Sequence, residues 1–97
     1  MSQATPEAPK VELYTSRYCG YCMRAKTLLE QKSVVYVEYL LDEQPELRPV
    51  MIERSAGSSS VPQIFISGRH IGGCDDLYQL ERRGMLDGLL GRGDQAP

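Results

Sequence analysis

The fold is decided by residues 17–22, Arg17-Tyr18-Cys19-Gly20-Tyr21-Cys22, which join a short apolar run to a segment with helical periodicity. A thiol at such a junction lies beside unpaired backbone N–H groups and the positive end of the helix dipole. Both stabilise a thiolate, which is the reactive form of cysteine. The junction therefore predicts thiol–disulfide exchange chemistry at Cys19.

The segments around this junction predict a β-α-β unit. Lys10–Tyr14 alternates polar and apolar residues, which is typical of a strand with unlike faces. Cys22–Gln31 carries apolar residues at helical spacing, and Val34–Leu40 is the most β-prone stretch of the chain. Short links around the helix predict parallel strands with a right-handed crossover.

The second half of the chain predicts two further strands and more helices. The predicted elements are a helix at Pro45–Arg54, a loop at Gly57–Ser60, a hairpin from Gln63–Ile66 to Arg69–Ile71, a helix at Asp75–Arg82 and a short helix at Met85–Leu90. The order β-α-β-α-β-β-α predicts an α/β fold with one four-stranded mixed sheet flanked by helices.

The composition is that of one globular domain, with 97 residues of which 41% are hydrophobic and 25% charged. The net charge of −2 gives no basic surface for nucleic acid. No apolar stretch approaches the roughly 18–20 residues of a membrane helix, so no membrane contact is expected. We expect a flexible leader over residues 1–9, the domain over 10–91 and a flexible tail over 92–97.

The three cysteines indicate the redox setting. An odd number does not form a disulfide framework, so a reducing, cytoplasmic location is expected, where a C-x-x-C pair is catalytic or binds a metal. The metal alternative is a zinc site made of Cys19, Cys22, His70 and Cys74. His70 lies in a β-prone run rather than a knuckle-like turn, which favours the redox interpretation.

Three segments together resemble the glutaredoxins, a family with the thioredoxin-like fold. They are Cys19-Gly20-Tyr21-Cys22, Val61-Pro62-Gln63-Ile64-Phe65-Ile66 and Ile71-Gly72-Gly73-Cys74-Asp75-Asp76-Leu77. The resemblance extends from Val11 to about Leu90. It implies a glutathione-dependent thiol–disulfide oxidoreductase that acts on glutathionylated and disulfide-containing proteins. Cys19 is then the nucleophile, and Cys22 is the resolving thiol.

The resemblance also implies where glutathione, the co-substrate, would bind. The cysteinyl backbone would pair with Val61, which precedes a cis proline, and the γ-glutamyl end would meet Gly73 and Asp75. The full predicted set is Arg17, Tyr21, Ser60, Val61, Pro62, Gly73, Cys74 and Asp75. From the residues alone, Pro62 is also a strand-entry proline, and Asp75 and Asp76 are also ordinary helix-start acids.

Gly20 departs from the pattern of many dithiol glutaredoxins, which carry proline there. Some monothiol relatives with glycine bind a [2Fe–2S] cluster between two protomers, with glutathione as co-ligand. The alternative function is therefore a cluster-binding dimer with Cys19 as iron ligand; otherwise a monomer without metal is expected. A thioredoxin-type reductase is a third interpretation, which the absence of tryptophan and the Gly73–Asp75 segment disfavour.

Overall fold

The computed structural model describes residues 9–91. The predicted leader and tail therefore lie outside the described residues, apart from Pro9. In chain order the elements are β1 (Val11–Thr15), α1 (Gly20–Gln31), β2 (Val37–Leu40), a 3-10 turn (Pro45–Leu47), α2 (Arg48–Arg54), β3 (Gln63–Ile66), β4 (Arg69–Gly72), α3 (Cys74–Arg82) and α4 (Leu86–Leu89).

The four strands form one mixed sheet in the order β2-β1-β3-β4. β1 and β2 are parallel, with Glu12 opposite Val37, as the β-α-β unit predicts. β1 and β3 are antiparallel, and so are β3 and β4. The predicted thioredoxin-like α/β fold with a four-stranded mixed sheet is confirmed.

β1 is buried along its whole length, so neither of its two unlike faces is exposed to solvent. The strand is central in the sheet and is covered on both faces. Glu12 keeps its charge there because the Arg54 guanidinium donates to both carboxylate oxygens, at 3.0 and 3.2 Å, and the Tyr39 hydroxyl donates at 2.8 Å. The hydrogen bonds from Arg54 lower the pKa of Glu12 below its ordinary range, against the opposing effect of burial.

α1 begins at Gly20, two positions before the predicted start at Cys22. Cys19 is the N-cap: its backbone is extended, and its sulfur accepts a hydrogen bond from the Cys22 N–H at 3.1 Å. Sulfur is not among the usual capping acceptors, which is why the pattern did not place the boundary there. The apolar face predicted for this helix is confirmed, since Ala25, Leu28 and Leu29 are buried.

Two other predicted boundaries are corrected. Val34 lies outside β2, because its N–H closes the end of α1 by donating to the Leu29 carbonyl at 2.9 Å. The predicted helix from Pro45 to Arg54 divides into a 3-10 turn and α2. Pro49 has no N–H to continue the α-helical pattern, and the Arg48 N–H bonds to the Pro45 carbonyl instead.

The sheet carries a hydrophobic cluster on each face. The larger cluster joins β1 and β3 to α1, α3 and α4, and its buried members are Val11, Leu13, Ala25, Leu28, Leu29, Ile64, Ile66, Cys74, Leu77, Leu86 and Leu90. The smaller one joins the sheet to α2 and contains Tyr14, Leu41, Met51 and Phe65. Across residues 9–91, no helix combines the length and the apolar content needed to span a membrane.

Removal of the Arg54 charge is expected to destabilise the domain. In Arg54→Met the buried Glu12 loses its main partner. We expect a loss of about 2–3 kcal/mol in the free energy of unfolding, less than the roughly 3–5 kcal/mol of a fully buried pair, because the Tyr39 hydroxyl still donates. Urea denaturation at pH 7 measures it.

The control is the double variant Glu12→Gln, Arg54→Met, which removes the carboxylate charge that Arg54→Met leaves with only the exposed Lys10 ammonium, 3.9 Å away, as its ion-pair partner. It should be more stable than Arg54→Met alone; equal stability of the two would contradict a charge-based cost. The contribution of the pair in the natural chain is complete above pH 4.5, the ordinary pKa of the carboxyl. It is lost as the pH falls through the lower folded-state value.

Gly20→Pro is expected to stabilise the domain. Gly20 is the first residue of α1, where proline is favoured, and Cys19 before it has the extended backbone that proline requires. A Cβ at Gly20 would meet nothing within 4 Å. We expect a gain of about 0.4–1 kcal/mol from reduced freedom of the unfolded chain. Gly68→Pro is the control. Gly68 has a φ of +79, which proline cannot adopt, so this variant should destabilise the domain.

Candidate active site

The two cysteines of the C-x-x-C segment lie at the start of α1 in unlike surroundings. Cys19 is partly exposed, whereas Cys22, inside the first turn, is 2% exposed. The hydrogen bond from the Cys22 N–H and the adjacent helix N-terminus both stabilise negative charge on the Cys19 sulfur. The structure therefore supports the predicted difference, with an accessible thiol at Cys19 and an enclosed one at Cys22.

The pKa of the Cys22 thiol is raised to about 12. Burial is the largest cause, followed by the hydrogen bond with Cys19 and the charge of Cys19. A backbone hydrogen bond at Ser16 and the positive charge of Lys26 act in the opposite direction. Cys22 is thus held as a neutral thiol while Cys19 is free.

Val61 and Pro62 lie next to Cys19, and the bond between them is cis, as the resemblance implies. The Cys19 sulfur is 3.9 Å from the Val61 carbonyl oxygen. The sheet register explains this proximity. Tyr14, near the end of β1, pairs with Gln63 at the start of β3. The loop that follows β1 and the loop that precedes β3 therefore meet at the same end of the sheet.

A groove of about 420 Å³ extends from this end of the sheet towards the start of α3. It brings together all the predicted glutathione contacts except Arg17. The predicted residues that line it are Tyr21, Ser60, Val61, Pro62, Gly73, Cys74 and Asp75. We call it the first groove. Tyr21, on its rim, is 58% exposed, so its ring is not part of the core.

The start of α3 is capped by Asp76 rather than Asp75. The Gly73 N–H donates to the Asp76 carboxylate at 2.9 Å. Gly72 has a φ of +121, and a Cβ there would collide with the Asp76 carboxylate, so only glycine fits this approach. Because Asp76 serves the helix, the exposed carboxylate of Asp75 faces the groove without a capping role.

Arg17 lies on the other side of Cys19. It lines a second groove of about 670 Å³, and its guanidinium pairs with Glu43 at 3.1 Å. Lys26 lines the same groove and pairs with Glu38 at 2.9 Å. Burial would raise the pKa of Glu38, but hydrogen bonds from Thr15 and Lys26 lower it. A contact between Arg17 and glutathione therefore stays a prediction.

Cys74 is buried and lies in the larger hydrophobic cluster. Burial raises the pKa of its thiol, and the charge of Asp75 acts in the same direction. Both observations are those of a small, inert core thiol, although Cys74 also lines the first groove.

Five residues that line the first groove are not in the predicted contact set, although three of them lie in the segments that carry the resemblance: Ser58 and His70, and within those segments Gln63, Gly72 and Asp76. Gln63 is buried, and its amide donates to the Ser60 carbonyl at 3.0 Å while its oxygen lies 2.7 Å from the His70 ring nitrogen. It thereby joins the loop before β3 to β4. Only the position of Gln63 directly after Val61-Pro62 could have indicated it; His70 carried no signal.

A cation also lies at this loop. The Arg48 guanidinium donates to the Ser59 carbonyl at 2.8 Å. Arg48 lies at the beginning of α2, and no motif singled it out in the sequence. Its charge adds positive potential beside Ser58 and Ser60, which line the first groove.

The metal alternatives receive no support from the part of the chain that the structure describes. Within residues 9–91, no group of three or more His, Cys, Asp or Glu side chains could hold a metal ion. The zinc site considered from Cys19, Cys22, His70 and Cys74 therefore does not assemble. Nothing around Cys19 favours the [2Fe–2S] alternative over thiol chemistry.

Comparison with known proteins agrees with this geometry. The profile of the Glutaredoxin family matches residues 11–71. Glutaredoxin of *Pseudomonas aeruginosa* is 54% identical over 82 residues, which are 84% of this chain and 96% of that protein. Glutaredoxin 3 of *Escherichia coli* K12 is 55% identical over 80 residues, 82% of this chain and 95% of that protein.

Solved structures give the same result. A glutaredoxin from *Brucella melitensis* matches with a TM-score of 0.78 and 46% identity, over 94% of this chain and 98% of that one. A buckwheat glutaredoxin–glutathione complex matches with a TM-score of 0.78 and 32% identity, over 88% and 79%. The chain therefore belongs to the glutaredoxin family, which implies a thiol oxidoreductase.

Proposed function

We propose that this protein is a glutathione-dependent thiol–disulfide oxidoreductase that reduces protein–glutathione mixed disulfides and protein disulfides. The observation that carries the proposal is the position of the Cys19 sulfur. It accepts the Cys22 N–H at 3.1 Å and lies 3.9 Å from the Val61 carbonyl, where the first groove begins. The nucleophile thus lies beside Val61, which lines the groove of about 420 Å³, while Cys19 itself lines the second groove.

The polar groups of the groove fit the two ends of glutathione. The exposed Asp75 carboxylate suits the ammonium group of the γ-glutamyl residue, and the backbone N–H groups in the first turn of α3 suit its carboxylate. The backbone of Val61 offers a β-type pairing to the central cysteinyl residue. The buckwheat relative was solved as a complex with glutathione, which supports this ligand.

Reduction of a mixed disulfide takes two exchange steps. The Cys19 thiolate attacks the glutathione sulfur, a Cys19–glutathione disulfide forms, and the protein thiolate leaves and takes up a proton. The thiolate of a second glutathione then attacks the glutathione sulfur of that intermediate. Oxidised glutathione is released, and the Cys19 thiolate is restored.

Protein disulfides require Cys22. Cys19 forms a mixed disulfide with the substrate, and the Cys22 thiolate then attacks the Cys19 sulfur, so the substrate leaves fully reduced. The bond to Cys19 removes the charge and the accepting sulfur that raise the pKa of Cys22, while Lys26 still lowers it. The deprotonation of Cys22 is thus less strongly opposed once it is needed, and burial is the main remaining cause that raises its pKa. Two glutathione molecules reduce the resulting Cys19–Cys22 disulfide.

A reducing compartment such as the cytoplasm is part of this proposal, because the cycle depends on a pool of reduced glutathione. The protein acts as a monomer, since both thiols and the groove belong to one chain.

The two cysteines are expected to separate the two reactions. Cys19→Ser should reduce the turnover of a glutathionylated protein to the rate of uncatalysed exchange. Cys22→Ser should retain most of that turnover but lose the reduction of protein disulfides, because only the second reaction needs a resolving thiol. A coupled assay that follows oxidised glutathione measures both.

Cys74→Ser is the matched control, and it should leave both reactions active. If Cys22→Ser abolished the turnover of the mixed disulfide while Cys19→Ser spared it, the two roles would be reversed. Equal activity with a thiol other than glutathione would contradict the proposed dependence on glutathione.

Alkylation is expected to distinguish the thiols by pH. Brief treatment of the reduced protein with iodoacetamide at pH 7 should give one adduct, at Cys19, because Cys22 is buried and neutral with a pKa of about 12. Labelling of Cys22 should rise only as the pH increases beyond 9, the ordinary thiol value. Mass spectrometry of tryptic peptides locates the adducts, and equal early labelling of Cys22 would contradict the assignment.

A further inference from the structure

Cys19 lies between two grooves, and glutathione accounts for only one of them. The second groove runs along the end of β1, the start of α1 and the edge strand β2. Its lining residues are Ser16, Arg17, Tyr18, Cys19, Gly20, Cys22, Met23, Lys26, Glu38, Leu40 and Glu43. Apart from the two thiols, the charge of Lys26 and the predicted contact of Arg17 with glutathione, the proposed reaction gives the residues of this surface no task.

Tyr18 is the unusual residue of the second groove. Its side chain is fully exposed, and its φ of +57 lies in the left-handed region that bulky residues seldom adopt. Among the described residues it makes no side-chain hydrogen bond, ring pair or cation–π contact. Folding therefore gives no reason for an aromatic residue here, where asparagine or glycine would be less strained. A strained, solvent-facing side chain beside a reacting thiol indicates a functional use.

The charges of the second groove are already paired. Arg17 pairs with Glu43, and Lys26 pairs with Glu38. What remains for a partner is the apolar surface of Tyr18 and of Met23, which is 62% exposed. This surface suits an apolar side chain better than a charged one.

We propose that Tyr18 is a specificity-determining residue that contacts an apolar side chain next to the modified cysteine of a protein substrate. The inference rests on the proposed function. When glutathione occupies the first groove, the polypeptide is joined to it through one S–S bond of about 2 Å. It must therefore lie against the exposed residues around Cys19 outside that groove, and Tyr18 is the residue directly before Cys19.

The test compares two glutathionylated peptides that differ only in the residue after the modified cysteine, which is Leu in one and Ser in the other. The natural chain should prefer the Leu peptide in kcat/KM by roughly fivefold, the value of one buried apolar contact. Tyr18→Asn should bring the ratio close to one, and Tyr18→Phe should keep it. Tyr18→Asn should fold with a Tm no lower than that of the natural chain, because asparagine tolerates the left-handed region.

Val35→Asn is the matched control. Val35 is also exposed, and it precedes β2 at the end of the sheet opposite Cys19, so its loss should leave the ratio unchanged. An unchanged ratio in Tyr18→Asn, or a ratio of one in the natural chain, would overturn the role of Tyr18. Failure of the natural chain on both peptides and on the mixed disulfide of glutathione with 2-mercaptoethanol would instead overturn the proposed function.

Discussion

The antiparallel pairing of Tyr14 with Gln63 is the constraint on which the site depends. It aligns the end of β1 with the start of β3. The loop that carries Cys19 and the loop that carries Val61 then lie at the same end of the sheet, although 42 positions separate the two residues in the chain. The burial of β1 on both faces fixes this register, because a slip by one residue would exchange the face of Leu13 with that of Glu12 and separate Glu12 from Arg54.

The burial of β1 also explains the largest polar feature of the interior. A central strand cannot leave a carboxylate exposed, so Glu12 is neutralised by Arg54 from α2 and by the Tyr39 hydroxyl from β2. The Arg54 guanidinium in turn stacks on the Phe65 ring, 4.1 Å from its centroid. These contacts connect α2, β1, β2 and β3, and they hold together the sheet whose edge carries the active thiol.

The asymmetry of the two thiols follows from three positions along one helix turn. Cys19 caps the helix and stays accessible, whereas Cys22 points into the protein and remains neutral. The Cys22 N–H stabilises charge on the Cys19 sulfur, whereas burial and the neighbouring Cys19 side chain oppose charge on the Cys22 sulfur. The order of the chemistry is thus a consequence of where the helix begins. The two grooves on either side of Cys19 then separate the surface suited to glutathione from the surface that we assign to the protein substrate.

The sequence by itself determined the order of the elements and the four-stranded mixed sheet, because periodicity and turn residues are local. Its resemblance to the glutaredoxins implied the thioredoxin-like class, and the C-x-x-C junction predicted Cys19 as the reactive thiol. The sequence pattern placed the starts of α1 and of β2 incorrectly. A cysteine sulfur, rather than a side-chain oxygen, caps α1, and the hydrogen bond from Val34 to Leu29 keeps Val34 out of β2. Only the tertiary structure decided that Glu12 is buried, that Arg17 lies apart from the first groove and that Gln63 and His70 line it. These facts depend on which strand is central in the sheet and on which distant loops meet at one end of it. Long-range packing determines both, and a local sequence pattern does not.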